Sequence, residues 1–322
     1  MELRQLKYFV RIVELNSFSK AAQDLFIAQP ALSNQISNLE KELSTQLLSR
    51  SVRGVVPTEA GKTLYAHAQA IIRQIEHLKH EVENQSSNPR GVVSIGLPSS
   101  VSNVLASTLI TATRDAYPEI QLKIVESLSG HLEELVSTGR IEMSMLFDNP
   151  HRIPKKSEKN SNYNLIRVPI LEEELFLQTA QMPPSKRAQN KISMATAAKM
   201  NFVLPGTSNS TRQLIDHAFK KAGFDLKVIT ELDSVSTIQA VVEDGIGATI
   251  LSLSAFIGNA SNRKSAAYSI QNANLMRTLS LCTSNTIALS AAAQCIAILV
   301  PKIANQLVLN KKWAGSKMIY SP

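Results

Sequence analysis

The apolar residues of this chain keep helical spacing up to about residue 84, and past Gly91 the pattern becomes short apolar runs alternating with amphipathic helices. That change of period divides the chain into a helical N-terminal part and a larger α/β remainder. Its 322 residues suit two or three units at roughly 150 residues each. A hydrophobic content of 44% is enough for sizeable cores and excludes a disordered or disulfide-stapled chain. Cys282 and Cys295 show neither metal-ligand spacing nor the count of a disulfide framework, which suits a reducing compartment.

Leu3, Leu6, Phe9, Val10 and Val13 mark the buried face of a first helix. Ser17 can cap a second, Phe18 to Leu25, where Ala21 and Ala22 allow a close neighbour. After a brief turn at Phe26 to Ala28, Pro30 opens a third helix, where its missing N–H costs nothing. This helix runs to about Leu43 and buries Leu32, Ile36, Leu39 and Leu43. Helix, short turn and helix with a polar outer face is the organisation of a helix-turn-helix, whose second helix enters the major groove. The outer face, Gln29, Ser33, Asn34, Ser37 and Asn38, carries side chains suited to base edges. Leu48 to Pro57, turned at Gly54, reads as a wing that lays Arg50 and Arg53 on phosphates or in the minor groove. Phe26 stands where many such turns carry Gly. Periodicity alone also fits a plain helical subdomain; Pro30, the polar face and the arginines together favour DNA.

The stretch LRQLKYFVRIVELNSFSKAAQDLFIAQPALSNQISNLEKELSTQLLSRSVRGVVPTEAG resembles the N-terminal domain of the LysR-type transcriptional regulators. The AQPALSNQI core, the LE-x-EL that follows and RG-x-x-x-T-x-AG cover the first 60 residues nearly end to end. Within the family the stretch is most similar to the nitrogen assimilation control branch. The resemblance implies that Gln29, Pro30, Ser33 and Arg53 match DNA-contacting positions. Asn34 departs from a position that is often Arg there, and loss of a guanidinium fork onto guanine O6 and N7 should redirect reading at that base.

Pro57 stops the wing, Thr58 can cap a long helix, and Glu59 suits its positive end. Leu64, Ala68, Ile71, Ile75, Leu78 and Val82 form a heptad seam on a helix from 59 to 84, about 39 Å long at ~1.5 Å per residue. Its expected partner is the same helix of a second chain. Glu76, His77, His80 and Glu81 share helix faces, yet no cysteine or further segment joins them, so they read as a solvated face and no metal is expected. Gln85 to Gly91 has linker composition.

Beyond the linker, strands at 92–97, 120–126 and 141–147 alternate with helices at 99–116 and 130–138. A second series follows: strands at 165–170, 174–179, 202–204, 228–232 and 248–251, with helices at 210–222 and 235–244. A strand near 278–282 and a helix at 288–309 close the chain. The expected fold is α/β: a winged helix-turn-helix (1–58), a dimerising helix and hinge (59–90), and a two-lobed regulatory domain (91–310), with 311–322 as a tail. Lobe I takes 91–164 and 275–310, and lobe II takes 165–274. Ligands of such sheets bind beyond the carboxyl ends of strands, at helix starts. That singles out Leu97 to Ser100 and Pro205 to Ser210, two hydroxyl-lined segments suited to a small anion or serving only as caps. Through ILEEELFL and VEDGIGATIL the family resemblance extends here in outline. It implies a periplasmic-binding-protein-like effector domain whose cleft involves Ser99, Ser100, Leu128, Phe147, Leu204 and Pro205.

Enzyme signatures are sparse. Gly245-Ile-Gly247 lacks the strand-turn-helix context of a dinucleotide site, and no P-loop, zincin or nucleophile-elbow motif occurs. His131, His151 and His217 stand alone, and Asp233, Glu243 and Asp244 read as helix-end groups. No catalytic residue and no cofactor are expected. The N-terminus lacks a signal-peptide core, and the apolar run 288–300 is broken by Ser290, Gln294 and Pro301, so a cytoplasmic protein without a membrane partner is expected. The net charge of +8 fits a nucleic-acid partner, although residues 1–90 supply only +2 of it. The reading is a LysR-type transcriptional regulator that binds double-stranded DNA as a homodimer. The family leads one to expect a tetramer and a small-molecule effector. The rival is a small-molecule-binding protein or α/β enzyme with a helical dimerisation domain that does not bind DNA.

Overall fold

The computed structural model describes residues 1–51, 54–83, 89–148, 165–180, 191–255 and 265–319, with backbone alone at 50, 51, 76, 77 and 80–83. The chain forms two compact units, one of Met1–Ser87 with Thr138–Arg140, the other of Asn88–Ser137 with Ile141–Pro322.

The first unit comprises α1 (Leu3–Leu15), α2 (Phe18–Asp24), α3 (Gln29–Glu42), the hairpin β1 (Leu48–Ser51) and β2 (Gly54–Pro57), and α4 (Glu59–Glu83). Its core joins Phe9 and Ile12 of α1, Phe18 of α2, Ile36 and Leu39 of α3, and Val55 of the wing. The buried stripe of α1 is rotated from the expected one: Ile12 is fully buried, whereas Leu3 and Val13 are half-buried. Leu43 is 39% exposed because α3 ends at Glu42 and Leu43 is already its cap.

Ser17 caps α2 by accepting from Lys20 N at 3.3 Å. The helix ends in a Schellman arrangement, with Phe26 N donating to Gln23 O and Ile27 N to Ala22 O, and with Phe26 itself at φ +55°. Phe26 thus occupies the left-handed position that glycine usually fills. Glu40 ties α3 to the wing, its Oε1 accepting from Leu47 N at 2.7 Å and Leu48 N at 3.1 Å. β1 and β2 pair antiparallel from Leu48↔Pro57 to Ser51↔Gly54. Gly54 needs to be glycine: its φ is +115°, and a Cβ there would lie 2.8 Å from Asn16 O.

Thr58 starts α4 as expected, accepting from Gly61 N at 3.0 Å. The heptad seam requires a correction at its first two positions. Ala68 is fully buried against Leu6 and Val10 of α1, and Leu64 packs on the same cluster. The apolar surface of Ala68 is consumed inside the chain, and that of Leu64 in part. Further along, Ile71 and Leu78 are 38% and 57% exposed and Ile75 is half-buried; the Val82 side chain lies outside the described residues.

The second unit has two lobes. Lobe I contains β3 (Gly91–Leu97), α5 (Ser99–Ala116), β4 (Ile120–Glu126), α6 (Ser129–Ser137) and β5 (Met143–Phe147). β6 (Leu165–Thr179) then runs through both lobes. Lobe II adds β7 (Lys191–Ser193), α7 (Met194–Ala197), β8 (Asn201–Leu204), α8 (Ser210–Lys221), β9 (Lys227–Glu231), α9 (Val235–Glu243), β10 (Ala248–Ser252) and β11 (Ala266–Gln271). The chain returns through β12 (Met276–Ser284) and α10 (Ala291–Leu309) to β13 (Ser316–Met318). Strand order is β4-β3-β5-β12-β6-β10-β8-β9, with β11 and β13 also on β6. β3 runs parallel to β4 and β5, and β8 to β9 and β10, while β6 and β12 are antiparallel.

Two boundaries differ from the expected ones. Residues 165–174 pair with β12 in the sheet of lobe I, and only 175–179 pair with β10 in lobe II. The acidic run Glu172 to Glu174 does not break the strand because each carboxylate is engaged. Glu172 pairs with Lys317 at 2.8 Å, Glu173 with Arg277 at 2.6 Å, and Glu174 accepts from Ser269 at 2.6 Å. The segment from 311 is likewise more than a tail, since Trp313 is buried in the lobe I core and β13 pairs with β6. Pro169 is tolerated inside β6 because β6 itself bulges beside it: Leu279 and Ser280 of β12 face Leu171 and Pro169, which leaves Ile170 as the extra residue. Among the described helices, α10 alone is long and apolar enough to cross a membrane; Ala293, Ile296 and Val300 lie in the lobe I core.

Candidate nucleic-acid interface and effector cleft

α3 buries Leu32, Ile36 and Leu39 on one face, and this fixes what its other face presents. Gln29, Pro30, Asn34 and Asn38 are exposed, while Ser33 and Ser37 are half-buried at the margin. Gln29 Oε1 accepts from Ser19 Oγ at 3.2 Å, which steers the amide at the start of α3. α2 is held to α1 by Arg11, whose Nε and Nη2 both reach the Asp24 carboxylate at 2.6 Å. Hydrogen bonding from Arg11 holds the Asp24 carboxyl below its ordinary range. The Arg50 side chain and Arg53 lie outside the described residues.

Within the second unit, a cavity of about 810 Å³ opens between the lobes. Of the expected effector residues, Ser99, Ser100, Leu128, Phe147 and Pro205 line it. Leu204 does not: it points into the lobe II core, fully buried beside Phe202 and Ile250. The Pro205 carbonyl is held by Arg212 Nη1 at 3.0 Å, and Arg212 is itself paired with Asp216 and Glu231. His131 also lines the cavity, 3.9 Å from Glu134.

Sequence reasoning missed the charged floor. Arg277 of β12 is almost wholly buried, its guanidinium 3.4 Å over the Phe147 ring and bonded through Nε and Nη2 to Glu173. Burial pulls the Arg277 pKa down, and the Glu173 carboxylate opposes that shift. Arg167 bridges Glu133 at 2.6 Å and Asp148 at 3.1 Å. Behind it burial pushes the Cys282 thiol up to about 12, which makes it an inert strand residue. The local signal for this floor is the acidic run Glu172 to Glu174, set between apolar stretches of one strand. Among the described residues no His, Cys, Asp and Glu group is arranged to hold a metal; the side chains of Glu76, His77, His80 and Glu81 lie outside them.

A helix-turn-helix with a wing, joined to a two-lobed sheet domain with a cleft, defines a ligand-responsive DNA-binding regulator. The description "Bacterial regulatory helix-turn-helix protein, lysR family" matches residues 3–62, and "LysR substrate binding domain" matches residues 86–300. The chain belongs to the LysR family of transcriptional regulators. It is 33% identical over 313 residues to the nitrogen assimilation regulatory protein nac of Escherichia coli, covering 97% of this chain and 98% of that one. The Klebsiella aerogenes protein of the same name is 37% identical over 256 residues, 79% of each. In fold the chain is similar to a full-length OxyR variant from Pseudomonas aeruginosa, with TM-score 0.69, 19% identity and coverage of 100% and 99%.

Proposed function

We propose that this regulator reads DNA through Gln29, Pro30, Ser33 and Asn34 of α3, with Arg50 and Arg53 of the wing on the phosphates or in the minor groove. The observation that carries this is the exposed polar face at the start of α3, set opposite three buried leucine and isoleucine positions. Dimerisation uses the second half of α4 through Ile71, Ile75, Leu78 and Val82, of which Ile71 and Leu78 are exposed, and two dimers assemble on the site. The cleft bounded by Ser99, Ser100, Leu128, Phe147 and Pro205 takes the effector. The working divisions are 1–58 for DNA, 59–90 for dimerisation and the remainder for regulation. The chain acts in the cytoplasm, as a regulator and not as an enzyme, and its likeness to two proteins named for nitrogen assimilation supports targets in nitrogen metabolism.

The test is a mobility-shift titration on the DNA upstream of its own gene at several salt concentrations. Specific binding weakens as salt rises, by counterion release. Ser33→Ala and Arg53→Ala each cost about 1–3 kcal/mol if the residue touches a base. Unchanged affinity in both variants would refute the assignment of helix and wing. Binding no tighter than to random DNA would favour the non-DNA rival.

A further inference from the structure

Arg277 sorts the hydroxyls around it into two kinds. A guanidinium offers only N–H donors, so every oxygen it touches is an acceptor toward it and must send its own hydrogen elsewhere. Nη2 of Arg277 reaches Ser252 Oγ at 3.0 Å and Ser100 Oγ at 3.3 Å, and Nη1 reaches Thr211 Oγ1 at 2.6 Å. Ser252 has an outlet: Ser254 Oγ lies 2.8 Å away, and Ser254 donates onward to Glu173 Oε1. Trp313 Nε1 donates to the same oxygen at 3.1 Å. Arg277, Ser252, Ser254 and Glu173 therefore close a ring in which both serine hydroxyl hydrogens are used.

Ser100 and Thr211 stand outside that ring. They are 7% and 5% exposed, and both line the cleft. Ser100 lies in the first turn of α5 in lobe I, and Thr211 in the first turn of α8 in lobe II. Among the described residues no protein acceptor takes the hydrogen of either hydroxyl. We propose that Arg277 is a positioning residue that turns Ser100 and Thr211 into hydrogen-bond donors facing the cleft, so that the ligand group they receive is an acceptor, a carboxylate or a comparably compact oxyanion. This deepens the effector reading and rests on it. Glu173 already balances Arg277, so the ligand's negative charge meets two polarised hydroxyls and the positive starts of α5 and α8.

Saturation-transfer NMR on the full chain tests this, with sodium malonate as an acceptor-only probe and ethylenediamine dihydrochloride as a donor-only probe at matched ionic strength. Malonate binds more tightly, and Ser100→Ala and Thr211→Val each raise its dissociation constant at least tenfold. Arg277→Lys, still donor-only, keeps the preference for malonate. Arg277→Gln, whose amide oxygen can take a hydroxyl hydrogen, loses it, with Trp313 fluorescence checking that lobe I remains folded. Tighter binding of ethylenediamine that Ser100→Ala alters would overturn the donor assignment and leave the cleft as the effector site. Malonate binding unmoved in both hydroxyl variants also overturns the assignment. If neither probe binds, the donor assignment and the effector cleft fall together.

Discussion

Gly61→Ala tests how the wing is fastened to α4. A Cβ at this position would lie 2.0 Å from Leu47 O, 3.0 Å from Leu47 C and 3.1 Å from Pro57 Cβ. Restoring a contact of about 3.5 Å requires α4 to retreat by roughly 1.5 Å. Leu47 O is also the acceptor for Thr58 N at 2.9 Å, and Thr58 Oγ1 caps Gly61 N at 3.0 Å. Losing these two bonds costs about 1 kcal/mol each, and the overpacking adds about 1–3 kcal/mol. Against this, alanine gains about 1 kcal/mol of helix propensity over glycine. The net is a destabilisation of about 2–4 kcal/mol, confined to the first unit. Urea unfolding followed by far-UV circular dichroism reads it as a midpoint lowered by roughly 1–2 M at a typical slope. Trp313, the only tryptophan, lies in the second unit and supplies an internal control whose fluorescence transition should not move. A dichroism midpoint equal to or above that of the parent would show that propensity wins and that the close approach is not there.

Phe26→Gly should stabilise the first unit by about 0.5–1 kcal/mol. It relieves about 1–2 kcal/mol of left-handed strain at φ +55° and gives back about 0.4–1 kcal/mol through the freer unfolded chain. The ring is 94% exposed, so little burial is lost, and a lowered urea midpoint would refute the turn geometry. Asp24→Asn should lower the midpoint at neutral pH. Because the folded pKa of Asp24 lies below the ordinary 3.8, its contribution is present above that value and disappears as pH falls through the folded pKa. A difference between the two proteins that persists in strong acid would mean that packing, not the ion pair with Arg11, is responsible. Cys282 should escape iodoacetamide at pH 8 in the folded protein, and prompt alkylation seen by mass spectrometry would contradict its burial.

The parts of this fold that follow local periodicity are legible in the sequence. α3 was recognised with its exposed face because a helix sorts residues by angle, and Leu43 failed only because a period does not say where the last turn ends. α4 was legible as a long amphipathic helix, but a heptad stripe does not name its partner, and α1 claimed Leu64 and Ala68. In the second unit the limits were sharper. β8 is a central strand covered on both faces, so no alternation separated Leu204, facing the core, from Pro205 at the cleft. Arg277 had no local signature at all, because its partners Thr211, Glu173 and Ser100 stand 66, 104 and 177 positions away. Glu173 belongs to an acidic run, Glu172 to Glu174, that the sequence does show. A carboxylate inside an apolar strand must meet a cation or neutralise, given the cost of burying it alone. The rule demands a partner without choosing one. Thirty-four lysines and arginines were available, and only the crossing of β6 and β12 between the lobes selects Arg277.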